Sequence, residues 1–152
     1  MARHKAREHA LQMLFEWDFR RTLLDEIERG YYGSLLQSED STAKPNPDEF
    51  AGKLLRGVVE DLAAIDDLIT RHAANWRLER MPAVDRNVIR IAVYELMRTD
   101  TPAAIVIDEA LELARRFAGE ESVQFVNGVL DAVRKELPAK MPLTAAAPSR
   151  AE

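Results

Sequence analysis

Three features of the chain predict an all-α fold. Apolar residues recur at helical spacing almost throughout, and no segment sustains the alternation of a half-buried strand. One segment, from about Asp85 to Met97, is apolar nearly all round, as a helix buried in the middle of a fold must be. The expected architecture is two small three-helix bundles packed together.

The first helix is predicted from about His4 to Phe19, where Ala6, Ala10, Met13, Leu14 and Trp17 fall on one stripe. A second runs from about Leu23 to Gln37. Residues 38–47, SEDSTAKPNP, have the composition of an exposed loop punctuated by proline. A third helix starts near Asp48, whose carboxylate suits a helix start. It continues through Phe50, Leu54, Leu55, Val58, Leu62, Ile65 and Ile69 to about Trp76. Gly52 and Gly57 each weaken it by about 1 kcal/mol relative to Ala and point to close helix contact.

Met81-Pro82 restarts the chain, and the helix that follows carries Val84, Val88, Ile89, Ile91, Ala92, Val93 and Leu96. Thr101-Pro102 reads as a cap followed by proline at the first helical position, opening a helix to about Phe117 that Gly119 ends. Ser122 starts the last helix, to about Leu137, with Val123, Val126, Val129, Leu130, Val133 and Leu137 along its buried stripe. The expected division is an N-terminal subdomain over 1–80, a C-terminal subdomain over 81–137 and a disordered tail over 138–152.

Composition excludes several classes of function. At 152 residues the chain can bury a sizeable core, and without cysteine it has neither a disulfide framework nor a thiol nucleophile. The start, MARHKAREHA, lacks the apolar run of a signal peptide, and no stretch approaches the ~18 apolar residues of a bilayer span, so a cytoplasmic protein is expected. A formal net charge of -5 argues on average against a nucleic-acid partner. That average hides a local excess, because Arg3, Lys5 and Arg7 face a single acid, Glu8.

His4, His9 and His72 do not have the spacing of a metal site, there is no phosphate-binding glycine loop, and no nucleophile motif occurs. No cofactor, metal or catalytic residue is therefore expected. Glu95 is the odd residue: the helical wheel sets it among Val84, Val88 and Ile91, so a structural ion pair is expected, with Arg90 or Arg116 as partner.

Two surfaces invite a partner. Arg3, His4 and Arg7 flank the stripe of the first helix, while Leu11 and Phe15 widen its apolar arc, either to pack on a neighbouring helix or to meet another protein. On the last helix, Phe125 lies off the buried stripe beside Ser122, Gln124, Asn127 and Gly128. An aromatic face with amide and hydroxyl neighbours is what single-stranded RNA recognition asks for; the alternative is that Phe125 fills the gap between the two subdomains, with Gly128 letting helices approach.

The segments VDRNVIRIAVYEL, IDEALELARRF and SVQFVNGVLD, together with Arg7, Ala10, Leu11 and Trp17 of the first helix, resemble the NusB family of bacterial transcription antitermination factors. The resemblance covers most of the chain. It implies an all-helical fold of two three-helix halves and binding of boxA-type RNA together with NusE, a ribosomal protein, in a complex that acts on RNA polymerase during ribosomal RNA transcription. Carried onto this sequence, it assigns RNA contacts to Arg3, His4, Lys5, Arg7, Glu121, Ser122, Gln124 and Phe125, and the NusE-facing surface to Leu11, Phe15 and Asp85. His4 stands where the family's basic run usually continues, and Glu8 follows it, so RNA binding is expected to depend on the partner. NusB-like modules also occur fused to ribosomal RNA cytosine methyltransferases, a reading not expected of 152 residues without a cysteine. The remaining alternative is a homo-oligomeric helical scaffold whose apolar flank pairs with itself.

Overall fold

The computed structural model describes residues 2–37, 48–73 and 76–138, and all secondary structure among them is helical. The expectations for 38–47 and for 139–152 lie outside the described residues. In chain order the helices are α1 (Ala2–Arg20), α2 (Leu24–Gln37), α3 (Glu49–Glu60), α4 (Leu62–His72), a 3₁₀ turn (Leu78–Arg80), α5 (Ala83–Arg98), α6 (Ala103–Phe117) and α7 (Glu120–Glu136). None is long and apolar enough to cross a membrane.

The chain divides into two compact units, Met1–Glu60 and Asp61–Glu152. In the first, α1 packs on α3 and α2, and Ala6, Ala10, Met13, Leu14, Leu54, Leu55 and Val58 are sealed from solvent. Asp48 caps α3: its Oδ1 accepts the backbone N–H of Phe50 at 2.8 Å and of Ala51 at 3.2 Å, which satisfies donors the helix start leaves open. Gly52 has a packing reason, since a Cβ there would stand 2.9 Å from Arg56 Nη1 and 3.2 Å from Glu28 Oε2, the ion pair that ties α3 to α2.

In the second unit α5 is enclosed by α4, α6 and α7. Every residue from Asn87 to Leu96 is buried. The polar residues on α5 are therefore held by hydrogen bonds. Arg90 grips Asp66 of α4 with Nε and Nη2 at 2.8 and 2.9 Å and donates to Asn87 Oδ1 at 3.0 Å; Asn87 in turn donates to Ala83 O. Glu95 is 1% exposed, as the wheel required of it.

The structure departs from the sequence reading at four places, one of them the start of the last helix, which is Glu120 with Gly119 before it rather than Ser122. The single helix expected from Asp48 to Trp76 is two, because Asp61 takes φ -99° and ψ 17°, outside the helical range, and its carboxylate is held by Arg98 at 2.9 Å. That break shifts the division of the chain: α4 lies in the second unit, on α5 and α7, where the reading had divided the chain near Arg80. Pro102 is the residue before α6 rather than its first, with ψ 142°. Gly119 does end α6 as expected. Its N–H reaches back to Ala114 O at 2.9 Å, and its φ of 137° is one that L side chains rarely adopt.

Candidate nucleic-acid interface

The basic residues of the first unit begin α1, a 19-residue helix with no acid in its first turn. The helix start carries partial positive charge, so cations there add to a field that attracts an anion. Arg3 and Lys5 are exposed, whereas Arg7 is 4% exposed and thus withdrawn from solvent. Both arginines lie against the ring of Phe50 on α3, Arg3 with its guanidinium 4.1 Å from the centroid and Arg7 at 5.6 Å. The ring anchors Arg3 by a contact of about 0.5–1 kcal/mol at an exposed site. Glu8, nearly sealed, lies 3.2 Å from His4 Nε2 and 3.4 Å from Lys5 Nζ. The helix thus displays two outward cations, Arg3 and Lys5, the second partly offset by an acid below it.

Next to this cluster, His9 Nδ1 lies 2.5 Å from the Tyr31 hydroxyl, which donates to Gln12 Oε1 at 3.2 Å. Burial, helped by the charge of Lys5, holds the His9 imidazole below its ordinary pKa, and burial pushes Tyr31 up to about 12. The cluster is therefore neutral at pH 7. It braces α1 against α2 without adding charge.

The second unit carries a cleft of about 500 Å³ lined by Trp76, Pro82, Asp85, Glu121, Ser122, Gln124 and Phe125. It brings together all four residues assigned on α7. Phe125 is half-buried, its ring 5.7 Å from that of Trp76 at 59°, while Glu121 and Gln124 are exposed. Ser122 Oγ donates to Asp85 Oδ1 at 2.7 Å, joining the start of α7 to the start of α5. Gly128 makes no close approach, for a Cβ there would meet nothing within 4 Å.

The residues assigned to a protein partner separate. Phe15 is 45% exposed, as a contact residue must be. Leu11 is corrected: it is 2% exposed, because it continues the buried stripe of Arg7, Ala10 and Leu14 and has no face to offer. Asp85 is likewise buried, at 4%, with its carboxylate on Ser122 at the cleft. Phe19, one helical turn on and 86% exposed, extends the Phe15 surface, and Leu23, 70% exposed, follows in the link to α2. The four-residue step from Phe15 to Phe19 was a signal available in the sequence. Trp76 had no such signal, since it was read as the end of a helix.

Among the described residues no cluster of His, Asp and Glu has a geometry that holds a metal ion. The remaining histidine, His72, sits with Arg71 on Glu136, Nε2 lying 2.6 Å from Oε1.

A sequence model described as the NusB family matches residues 4–135. The transcription antitermination protein NusB of Solibacter usitatus is 58% identical over 137 residues, covering 90% of this chain and 91% of that protein. Among solved structures, T. maritima NusB superposes with a TM-score of 0.74 at 40% identity, over 93% of this chain and 94% of that one. A structure of antitermination factors NusB and NusE in complex with double-stranded RNA matches with a TM-score of 0.76 at 28% identity, over 90% of this chain and 98% of that one.

Proposed function

The chain belongs to the NusB family of non-enzymatic transcription antitermination proteins, and from that premise we propose that it binds boxA-type single-stranded RNA jointly with NusE and acts with RNA polymerase in ribosomal RNA transcription. The observation that carries the proposal is the half-buried ring of Phe125, which lines an open cleft among hydroxyl, amide and carboxylate groups. A core aromatic would be enclosed. Here the ring keeps a face for a base, and its neighbours supply donors and acceptors for base edges.

Each residue then has its own task. Arg3 and Lys5 attract backbone phosphates, with Arg7 beneath them holding the Phe50 ring against which Arg3 rests. Phe125 stacks, Gln124 and Glu121 meet base edges, and Ser122 fixes Asp85. Phe15, with Phe19 and Leu23, offers the apolar surface to NusE. The whole is an assembly device, since nothing in these roles breaks a covalent bond.

A gel shift with a boxA-type RNA, with and without NusE, tests the reading. Binding that tightens when NusE is added is expected, and absence of binding in both arms overturns it. The three exposed apolar side chains also favour a second reading, self-association through the same flank. Light scattering decides between them: a dimer that neither RNA nor NusE dissociates supports self-pairing.

A further inference from the structure

We propose that Trp76 is a second base-contacting ring, forming with Phe125 an aromatic corner that selects a base carrying an exocyclic amino group. The inference rests on the RNA-binding reading and adds a residue and a base preference to it. Trp76 is 48% exposed although its indole is among the largest apolar surfaces in the chain, and it faces the cleft. Its centroid is 5.7 Å from that of Phe125, with the planes tilted by 59°. Rings already in contact leave no slot between them. A base therefore lies in the corner, flat on one ring and flanked by the other, in the offset and tilted geometries that aromatic groups favour.

The charge of the lining decides which part of a nucleotide enters. The cleft is walled by the carboxylates of Asp85 and Glu121 and by the Gln124 amide, and no lysine or arginine is among its lining residues. Phosphate is repelled from such a wall. A neutral base is not, and one bearing an amino group gives the exposed Glu121 carboxylate a hydrogen to accept, as acids do when they read the cytosine amine. Uracil has a carbonyl where cytosine has its amine and keeps only the N3–H between its two carbonyls as a donor, so it offers that carboxylate less.

The test uses the full chain with a boxA-type RNA, and short oligocytidine and oligouridine as probes matched in ring size. Trp76→Ala is expected to weaken boxA binding about tenfold, within the range of one lost base stack, without altering its salt dependence, and Trp76→Phe to recover most of the loss. RNA should quench tryptophan emission in the wild type and not in Trp76→Phe, where only the buried Trp17 remains. Oligocytidine should outbind oligouridine, and Glu121→Ala should narrow that difference. Wild-type RNA binding that Trp76→Ala leaves intact, with emission unchanged, overturns the role of Trp76 while the RNA-binding reading stands. Equal binding of the two oligonucleotides overturns the base preference. No RNA binding by any form overturns both the inference and the reading beneath it.

Discussion

Arg3 and Lys5, but not Arg7, should set the salt dependence of RNA binding. Both are exposed on the first turns of α1, whereas Arg7 is 4% exposed against Phe50. Each phosphate neutralised on a single strand contributes about -0.7 to the slope of log affinity against log salt. The double variant Arg3→Gln, Lys5→Gln removes two such contacts and should flatten the slope by about 1.4. Between about 50 and 200 mM salt, the affinity ratio of wild type to variant should then shrink about sevenfold. Arg7→Gln should leave the slope unchanged and instead lower stability by about 1–3 kcal/mol, because it removes a buried side chain that packs on the Phe50 ring. Filter binding across a salt series, paired with urea unfolding, measures both. If Arg7→Gln flattens the slope as much as Arg3→Gln does, exposure does not decide which cation meets phosphate, and the assignment is wrong.

Arg90→Ala should lose about 3 kcal/mol in urea unfolding, because it strands Asp66 and Asn87 at the α4–α5 contact; a loss under about 1 kcal/mol would show that solvent already satisfies Asp66. Gly119→Ala should lose about 1–3 kcal/mol from backbone strain alone, since the added Cβ meets nothing within 4 Å at φ 137°; an unchanged melting temperature would refute the strain. Hydrogen bonds from Arg71 and His72 hold Glu136 below its ordinary carboxylate pKa. A lowered folded pKa means its contribution is full above the unfolded value of 4.5 and is lost as the pH falls through the folded value. Glu136→Gln should therefore reduce stability at neutral pH and flatten its decline in acid, which thermal melts from pH 3 to 7 would show; parallel profiles would exclude the linkage.

The helical pattern made most of the fold legible, because burial of one stripe per helix is written directly in the spacing of apolar residues. The break at Asp61 was not. Val58, Leu62 and Ile65 keep the helical phase across it, and the ion pair to Arg98 that accompanies it joins residues 37 apart in the chain. The site divides in the same way. Phe125 showed itself as an aromatic off the stripe of its own helix, and Glu95 as an acid on an apolar face, both local patterns. Trp76 beside Phe125, and Phe50 under Arg3 and Arg7, come from distant segments, and no local periodicity announces such meetings. For Leu11 the spacing allows either a packed or a partner-facing side chain, and burial decides for packing, since Arg7 and Leu11 extend the buried face itself.

A chain with 26 acids and 21 basic residues is an unlikely ligand for a polyanion if charge is averaged over its surface. Averaging is the wrong measure at physiological ionic strength, where charges are screened beyond about 8 Å. Within that range of Lys5 lies Glu8, at 3.4 Å. Along the same helix Glu16 is eleven residues from Lys5, about 16 Å at 1.5 Å per residue, and is paired with Arg20. Glu8→Gln should therefore tighten RNA binding and steepen its salt slope, whereas Glu16→Gln, an equal change in net charge, should do neither at 150 mM salt. Equal gains from the two variants would mean that net charge governs the encounter, and the argument from the local cation pair would fall.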